Sequence, residues 1–379
     1  MKITLLANDV VPGMGLPVAA PGMRAWGLAI GLRSAGHDVN VLVDERVAML
    51  AWRTRPRQMP PATPRGVALV RTADVGSWVR AHGSDALVVT NSNHIGVLGD
   101  LGRCKLVYDF FAPKVLELAE QAMPEEREER VARLTASKLA GLARSDYVIV
   151  NGEKKVPYVR DWLARAGRAD MPLAVVNMAL PPMRPRPVQD GRIHAIVSGY
   201  LQPWSRIGPW LSAMRPFLYD GSMVLHVLLG SHWGQEEGVP LPRELREVLS
   251  TEAATAHGAM TFDDFRTLMS RCHVNVDVFE RNDERELAMV TRSVTALSCG
   301  VPTVHVPFTE VSPLIERYDA GWLVEEDDLG QMTTAFQQSL DPEILAGKRA
   351  GAERLAAEVF DPTVAVVPLL KMLEGDIDG

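Results

Sequence analysis

Asn282-Asp-Glu-Arg-Glu-Leu-Ala-Met-Val-Thr-Arg-Ser-Val-Thr-Ala-Leu-Ser-Cys-Gly300, followed by Val301-Pro-Thr-Val-His-Val306, is the stretch that decides the fold. A strand ends near Asp277 and a polar loop leads into a helical pattern. Gly300 stops that helix as a left-handed cap requires, and a buried strand follows. Working outward, short runs rich in Val, Ile and Leu recur between longer mixed stretches. They predict strands at 2–7, 39–43, 67–70, 87–90, 106–109, 147–151 and 174–177, then at 194–198, 223–229, 273–278, 303–306 and 322–324. Such runs suit parallel strands covered by helices on both faces, so the class is α/β.

Leu180-Pro-Pro-Met-Arg-Pro-Arg-Pro187 separates the two sets, and its prolines forbid helix and interrupt a ladder. We therefore expect a linker there between two doubly wound, Rossmann-like domains, residues 1–185 and 186–360. A last helix, 361–379, is expected to cross back to the first. At 379 residues the chain is long enough for this division. Two such sheets offer ligand sites at the carboxyl ends of their strands, and facing domains share a cleft suited to reaction between two bound substrates. The charged run after Pro124 reads as a solvated surface helix, its carboxylates favourable in the first turn, or alternatively as a lid contacting an acceptor.

Composition narrows the function. With 47% apolar and 23% charged residues the chain is ordinary globular protein, neither disordered nor fibrous. The net charge of -7 has the wrong sign for a protein whose main partner is nucleic acid. No run of 18 apolar residues predicts a membrane span, and the apolar run at the N-terminus is too short for a secretory signal. A cytoplasmic enzyme is the default expectation. Cys104, Cys272 and Cys299 lack paired spacing, so we expect small buried residues, not a disulfide framework or a zinc cluster.

Three stretches carry candidate chemistry. Ala20-Pro-Gly-Met-Arg-Ala-Trp-Gly27 follows the first strand, and Gly22 there lets the backbone approach a ligand, with Arg24 either directed into the cleft or lying on a plain surface loop. The spacing is not Gly-x-Gly-x-x-Gly, which disfavours NAD. In the second stretch, Val197-Ser-Gly-Tyr-Leu-Gln-Pro-Trp-Ser-Arg-Ile-Gly208, Gly199 offers close approach to a diphosphate and Arg206 the neutralising charge. Trp204 offers a flat face for a base or sugar, or else packs between helix and sheet. The third is the opening stretch itself. Its helix start is expected to leave N–H groups near Leu287, Ala288 and Met289 for phosphate oxygens, with Glu286 on sugar hydroxyls and Thr291 or Arg292 as side-chain donors. The competing reading is a structural salt bridge among Glu284, Arg285 and Arg292. Glu310, after the next strand, lines the same cleft or simply starts a helix.

From Glu286 to Val306, then Glu310 and Asp319-Ala-Gly-Trp-Leu-Val324, the chain resembles the donor half of GT-B-fold glycosyltransferases, particularly those of family 4. Pro21-Gly-Met-Arg24, Ala35-Gly-His-Asp-Val39, Val107-Tyr-Asp-Phe-Phe-Ala-Pro113 and Asn151-Gly-Glu-Lys154 fall in the matching order, so the resemblance covers nearly the whole chain. It implies that Glu286 through Ala288 bind the sugar and diphosphate of a nucleotide-sugar donor, which is a co-substrate; no cofactor is expected. The family usually has a ribose-binding Glu five residues before the glycine, where this chain has Thr295, and a basic pair where only Arg206 is evident. Family members usually retain anomeric configuration, which is carried over as an implication. No Asp-x-Asp loop is placed to hold a metal, so transfer is expected to be metal-independent.

The expected reaction is therefore sugar transfer from a nucleotide diphosphate sugar to a hydroxyl of a glycan, lipid-linked or small-molecule acceptor. Preorganised N–H and guanidinium groups would stabilise the departing diphosphate. Glu286, Arg206, His94 and Asp109 are the expected catalytic residues, His94 and Asp109 toward the acceptor together with Gly22 and Arg24. A nucleotide-sugar epimerase and a catalytically lapsed sugar-nucleotide-binding protein are the two rivals on the same scaffold.

Overall fold

The computed structural model describes residues 1–53, 63–230 and 241–375. The chain divides into two compact units, residues 1–179 with 361–379, and residues 180–360.

The first unit is built on seven strands: β1 (Lys2–Ala7), β2 (Asp38–Asp44), β3 (Val67–Val70), β4 (Ala86–Val89), β5 (Lys105–Asp109), β6 (Tyr147–Val150) and β7 (Leu173–Val175). They pair in parallel in the order β3-β2-β1-β4-β5-β6-β7. The apolar runs are buried on both faces: Ile3, Leu5 and Leu6 of β1 and every residue of β4 lie in the interior. The order reverses between β1 and β4, and the carboxyl ends at such a switch are where doubly wound sheets bind ligands.

Helix Ala20–Ser34 follows β1, and two of its glycines meet backbone from the later part of the chain. A Cβ at Gly27 would lie 1.7 Å from the Ala179 carbonyl oxygen, and one at Gly31 would lie 2.1 Å from that of Pro362. The terminal helices Pro362–Ala365 and Val367–Glu374 thus pack within the first unit, on helix Ala20–Ser34 and on β7. The charged segment forms helices Lys114–Gln121 and Pro124–Arg144, and residues 124–129 are exposed.

The proline-rich stretch, expected as a linker, is a packed part of the second unit. Leu180 N–H donates to the Phe360 carbonyl at 2.8 Å, Met183 N–H to Ser298 at 2.7 Å and Arg186 N–H to Ser270 at 2.7 Å. Prolines between these positions leave just enough donors to tie an extended segment down.

The second sheet contains β8 (Ile193–Tyr200), β9 (Met223–Gly230), β10 (Ala254–Ala256), β11 (Val274–Asp277), β12 (Thr303–His305) and β13 (Gly321–Leu323), all parallel, ordered β10-β9-β8-β11-β12-β13. Each of the twelve expected strands is present. β10 was not expected, because a three-residue edge strand with Thr255 and Ala256 exposed has no apolar run to reveal it. The switch point lies between β8 and β11. All three cysteines are free and buried. Among the described residues, no helix is long and apolar enough to cross a membrane.

A row of histidines crosses this sheet. His194 Nδ1 meets His226 Nε2 at 2.9 Å, His226 Nδ1 meets His257 Nε2 at 2.9 Å, and His194 Nε2 lies 3.2 Å from the Asp190 carboxylate. With Asp190 accepting from His194 Nε2–H, the row has one consistent proton order, every Nε2–H donating along it toward Asp190. His273, on the other side of His194, accepts the His194 backbone N–H at Nδ1, 3.0 Å away.

Candidate functional site

The second-unit site grows from the ends of β8 and β11. β8 finishes through Ser198 and Gly199, and Gly199 adopts φ +109°, a left-handed conformation that side chains rarely take. A Cβ there would meet Arg292 Nη1 at 3.0 Å and Cδ at 3.1 Å, so the glycine leaves room for that side chain. Arg292 sits in the first turn of helix Thr291–Ser298, and its Nε donates to Asp277 Oδ1 at 2.6 Å. Its Nη1 donates to the Ser198 carbonyl at 3.3 Å. Asp277 closes β11, so this pair bridges the two strands of the switch point.

Below Arg292 lies a buried polar set. Ser293 Oγ donates to Asp277 Oδ2 at 2.5 Å and contacts His305 Nδ1 at 3.2 Å. His305 Nε2 meets Thr309 Oγ1 at 2.9 Å, and the Thr309 N–H donates to Ser312 Oγ at 2.9 Å. Burial pushes the His305 imidazolium down to about 4, opposed by Asp277, so the ring is neutral near pH 7.

The opening stretch is two helices, not one. Asp283–Glu286 is a single short turn, capped by Asn282 Oδ1 accepting from the Arg285 N–H at 2.8 Å. The Leu287 N–H donates to the Glu284 carbonyl at 3.2 Å and the Ala288 N–H to Arg285 at 3.1 Å. These two amides are therefore committed inside their own turn and are not the orphan groups expected. The second helix begins at Thr291, and among the described residues no side chain caps its first turn. Ala288 and Met289 are buried, and the Ala288 carbonyl accepts the N–H of Glu310, itself buried.

Side-chain roles shift accordingly. Glu286 is half-exposed and pairs with Arg281 at 2.6 Å, which raises the Arg281 pKa. Arg206 pairs with Asp327 and lies 3.8 Å from Glu280. Arg285 clasps buried Glu284 and stacks over Trp204, 4.8 Å to the ring centroid. Trp204 is 4% exposed, so it packs as a floor under that guanidinium and presents no free face to a base. Thr295 is fully buried with its hydroxyl on the Thr291 carbonyl at 2.8 Å, so it lines no ribose site. Each arginine around this point, 206, 281, 285 and 292, already holds a carboxylate.

In the first unit the structure overturns one expectation. Arg24 and Asp109 are completely buried and bonded to each other, Nε to Oδ2 at 2.9 Å and Nη2 to Oδ1 at 3.2 Å. Arg24 Nη1 also donates to the carbonyls of Val176 and Asn177 at 2.8 and 2.6 Å. Neither residue reaches an acceptor hydroxyl; together they fasten helix Ala20–Ser34 to β5 and to the segment after β7. Gly22 is a packing point as well, since a Cβ there would sit 1.9 Å from the Val10 carbonyl oxygen.

His94 is the other first-unit candidate. It lies on helix Ser92–Val97 just after β4, capped by Asn91, whose Nδ2 donates to Asn8 Oδ1 at 2.8 Å across the β1/β4 switch. Among the described residues, the buried Nδ1 of His94 and the hydroxyl of Thr90 have no hydrogen-bond partner. Burial lowers the His94 pKa, against the opposing charge of Asp44. Asn8 and Asn91, missed in the sequence, are uninformative as residue types; only the strand order brings them together. Among the described residues, no group of three or more His, Cys, Asp or Glu side chains is arranged to hold a metal ion.

No protein-family model and no curated protein sequence matches the chain. Solved structures do. Sucrose-phosphate synthase from Thermosynechococcus elongatus aligns with a TM-score of 0.67 at 14% identity, covering 99% of this chain and 100% of that one. HepE of Anabaena, solved with UDP and glucose, aligns at 0.65 and 16%, again over 99% and 100%. The catalytic domain of starch synthase IV from Arabidopsis thaliana, bound to ADP and acarbose, aligns at 0.66 and 10%, over 99% and 98%. The two parallel sheets, their strand orders and these end-to-end alignments establish that the chain has the GT-B fold of glycosyltransferases.

Proposed function

We propose that the chain is a glycosyltransferase that moves a sugar from a nucleotide diphosphate sugar to an acceptor hydroxyl, with retention, without a metal or other cofactor, and in the cytoplasm. The observation that carries this reading is the β8/β11 switch point. A glycine strand end there lies against a guanidinium anchored on Asp277, in a fold whose solved neighbours include HepE with UDP-glucose and a starch synthase with ADP.

In this reading Arg292 and Arg206 take the diphosphate and Glu286 takes sugar hydroxyls. Arg206 and Glu286 hold exposed partners, and such surface pairs exchange for a ligand at a cost of about 0–1 kcal/mol. Stabilisation of the leaving diphosphate by these preorganised charges is the main catalytic contribution. His94 faces the acceptor hydroxyl at the first unit's switch point, with the acceptor a glycan, a lipid-linked sugar or a small molecule.

A second reading, a binding protein that has lost transfer, is favoured by one observation: every arginine at the site is already paired, and Thr295 is buried. Incubation with UDP-glucose and ADP-glucose decides between the two, with released nucleotide and new sugar nucleotides followed by mass spectrometry. Release of UDP or ADP with sugar transfer or slow hydrolysis supports the transferase. Tight binding without release supports the lapsed protein, and conversion to an isomeric sugar nucleotide without an acceptor identifies an epimerase.

A further inference from the structure

Asp277 makes two strong bonds on two different oxygens. Ser293 has one hydroxyl hydrogen, and at 2.5 Å from an acceptor-only carboxylate oxygen it donates to Asp277 Oδ2. Its 3.2 Å contact with His305 Nδ1 is then one in which Ser293 Oγ accepts, which places the imidazole hydrogen on Nδ1. The neutral ring leaves Nε2 as acceptor, filled by the Thr309 hydroxyl at 2.9 Å. Ser312 Oγ lies 2.8 Å from both Thr309 Oγ1 and the Val306 carbonyl, so with the Thr309 hydrogen on His305 the one Ser312 hydrogen is shared between these two acceptors. Ser293, His305, Thr309 and Ser312 are all buried, so this proton order has no water to compete with it.

With Oδ2 occupied, the carboxylate cannot turn, and only Oδ1 is left for Arg292 Nε. Among the described residues the bonds formed by Arg292 use Nε and Nη1, so Nη2 is the guanidinium nitrogen left for an anion. We propose that Ser293 is a positioning residue, acting through Asp277 and held by His305, that fixes the Arg292 guanidinium at the end of β8 as the receptor for a phosphate-bearing ligand. The inference rests on the donor reading above and deepens it by naming the fixed cation and the hydroxyl that aims it. Without the Ser293 hydroxyl, Oδ2 becomes a second acceptor for Arg292, and the guanidinium swings toward Asp277 and away from Gly199.

The test is the affinity of the full chain for UDP, ADP and inorganic pyrophosphate, measured by titration calorimetry on the parent, on Ser293→Ala and on the isosteric Asp277→Asn, each with a thermal melt. The expected result is a loss of at least fivefold in both variants, by the same factor for UDP and pyrophosphate, because the base is not involved. Should Ser293→Ala not fold, Asp277→Asn alone carries the test. A parent that binds while the folded variants stay within twofold overturns the positioning role and leaves the donor reading standing. So does a loss confined to UDP. A parent that binds none of the three overturns the donor reading and this inference together.

Discussion

Two arginine–aspartate pairs close the carboxyl ends of the two sheets, and they are built alike. In each, an aspartate ends a strand, Asp109 on β5 and Asp277 on β11, and an arginine reaches it from a helix, Ala20–Ser34 or Thr291–Ser298. They differ in what remains of the guanidinium. Arg24 spends all three nitrogens, two on Asp109 and one on two backbone carbonyls, and both side chains are 0% exposed. Among the described residues Arg292 spends two nitrogens, and it stays 20% exposed, against 2% for Asp277. The same ion pair is thus a fastening in one unit and a held but reachable charge in the other, and the count of uncommitted donors separates the roles.

The largest expected effect tests the fastening. Arg24→Ala leaves Asp109 buried without its partner and should cost about 3–5 kcal/mol, read as a drop in denaturant midpoint. The double change Arg24→Met with Asp109→Leu should recover most of that loss, since replacing both charges removes the burden of an unpaired one. A loss under about 1 kcal/mol in the single variant would show that Arg24 is not the fastening described.

Acid should separate the two units next. His226, His273 and His305 belong to the second unit, and burial is the main cause that lowers each from 6.5 to about 4; neighbouring charges, Arg271 for His226 and Arg349 for His273, act in the same direction. A folded-state pKa below the unfolded value means the unfolded chain binds more protons, so stability is full above pH 6.5 and is lost as pH falls toward 4. Circular dichroism and tryptophan fluorescence along an acid titration should therefore show a transition in that window. Replacing His226 and His273 with Gln should move it to lower pH. An unmoved transition would place the acid sensitivity outside the row.

The smaller effects concern the reachable charges. Glu286→Ala should lower sugar transfer at least tenfold, about 1.4 kcal/mol of transition-state stabilisation, with an unchanged melting temperature. Unchanged turnover would remove Glu286 from the site. Arg206→Ala should weaken UDP several-fold while altering stability by less than about 0.5 kcal/mol, because its partner Asp327 is a surface residue. Equal UDP affinity in parent and variant would reassign the anion site wholly to Arg292.

Much of the architecture was legible because its signal is local. Apolar runs of three to seven residues marked twelve strands, and Gly300 marked the end of the helix that reaches the site. The polar partnerships were not legible, because each joins residues far apart in the chain. Arg24 and Asp109 are separated by 85 positions, and a lone arginine in a Gly- and Pro-rich turn carries no sign that it is buried. His194, His226 and His257 follow at intervals of 32 and 31 and become neighbours only through the strand order. Asp277 looked like the polar end of an apolar run, and nothing in its type announced that Ser293, Arg292 and His305 converge on it. The break between Glu286 and Thr291 was hidden for another reason: both halves have helical composition, and the turn that parts them is made by backbone bonds.

The packing of Pro362 against Gly31 has a consequence for synthesis. Residues 180–360 form one uninterrupted span that is fully translated before the first unit has received its last two helices. Helix Ala20–Ser34 leaves the ribosome before that span yet waits for the stretch after it to cover its small-residue flank. The half of the molecule that is made first is the half that is finished last.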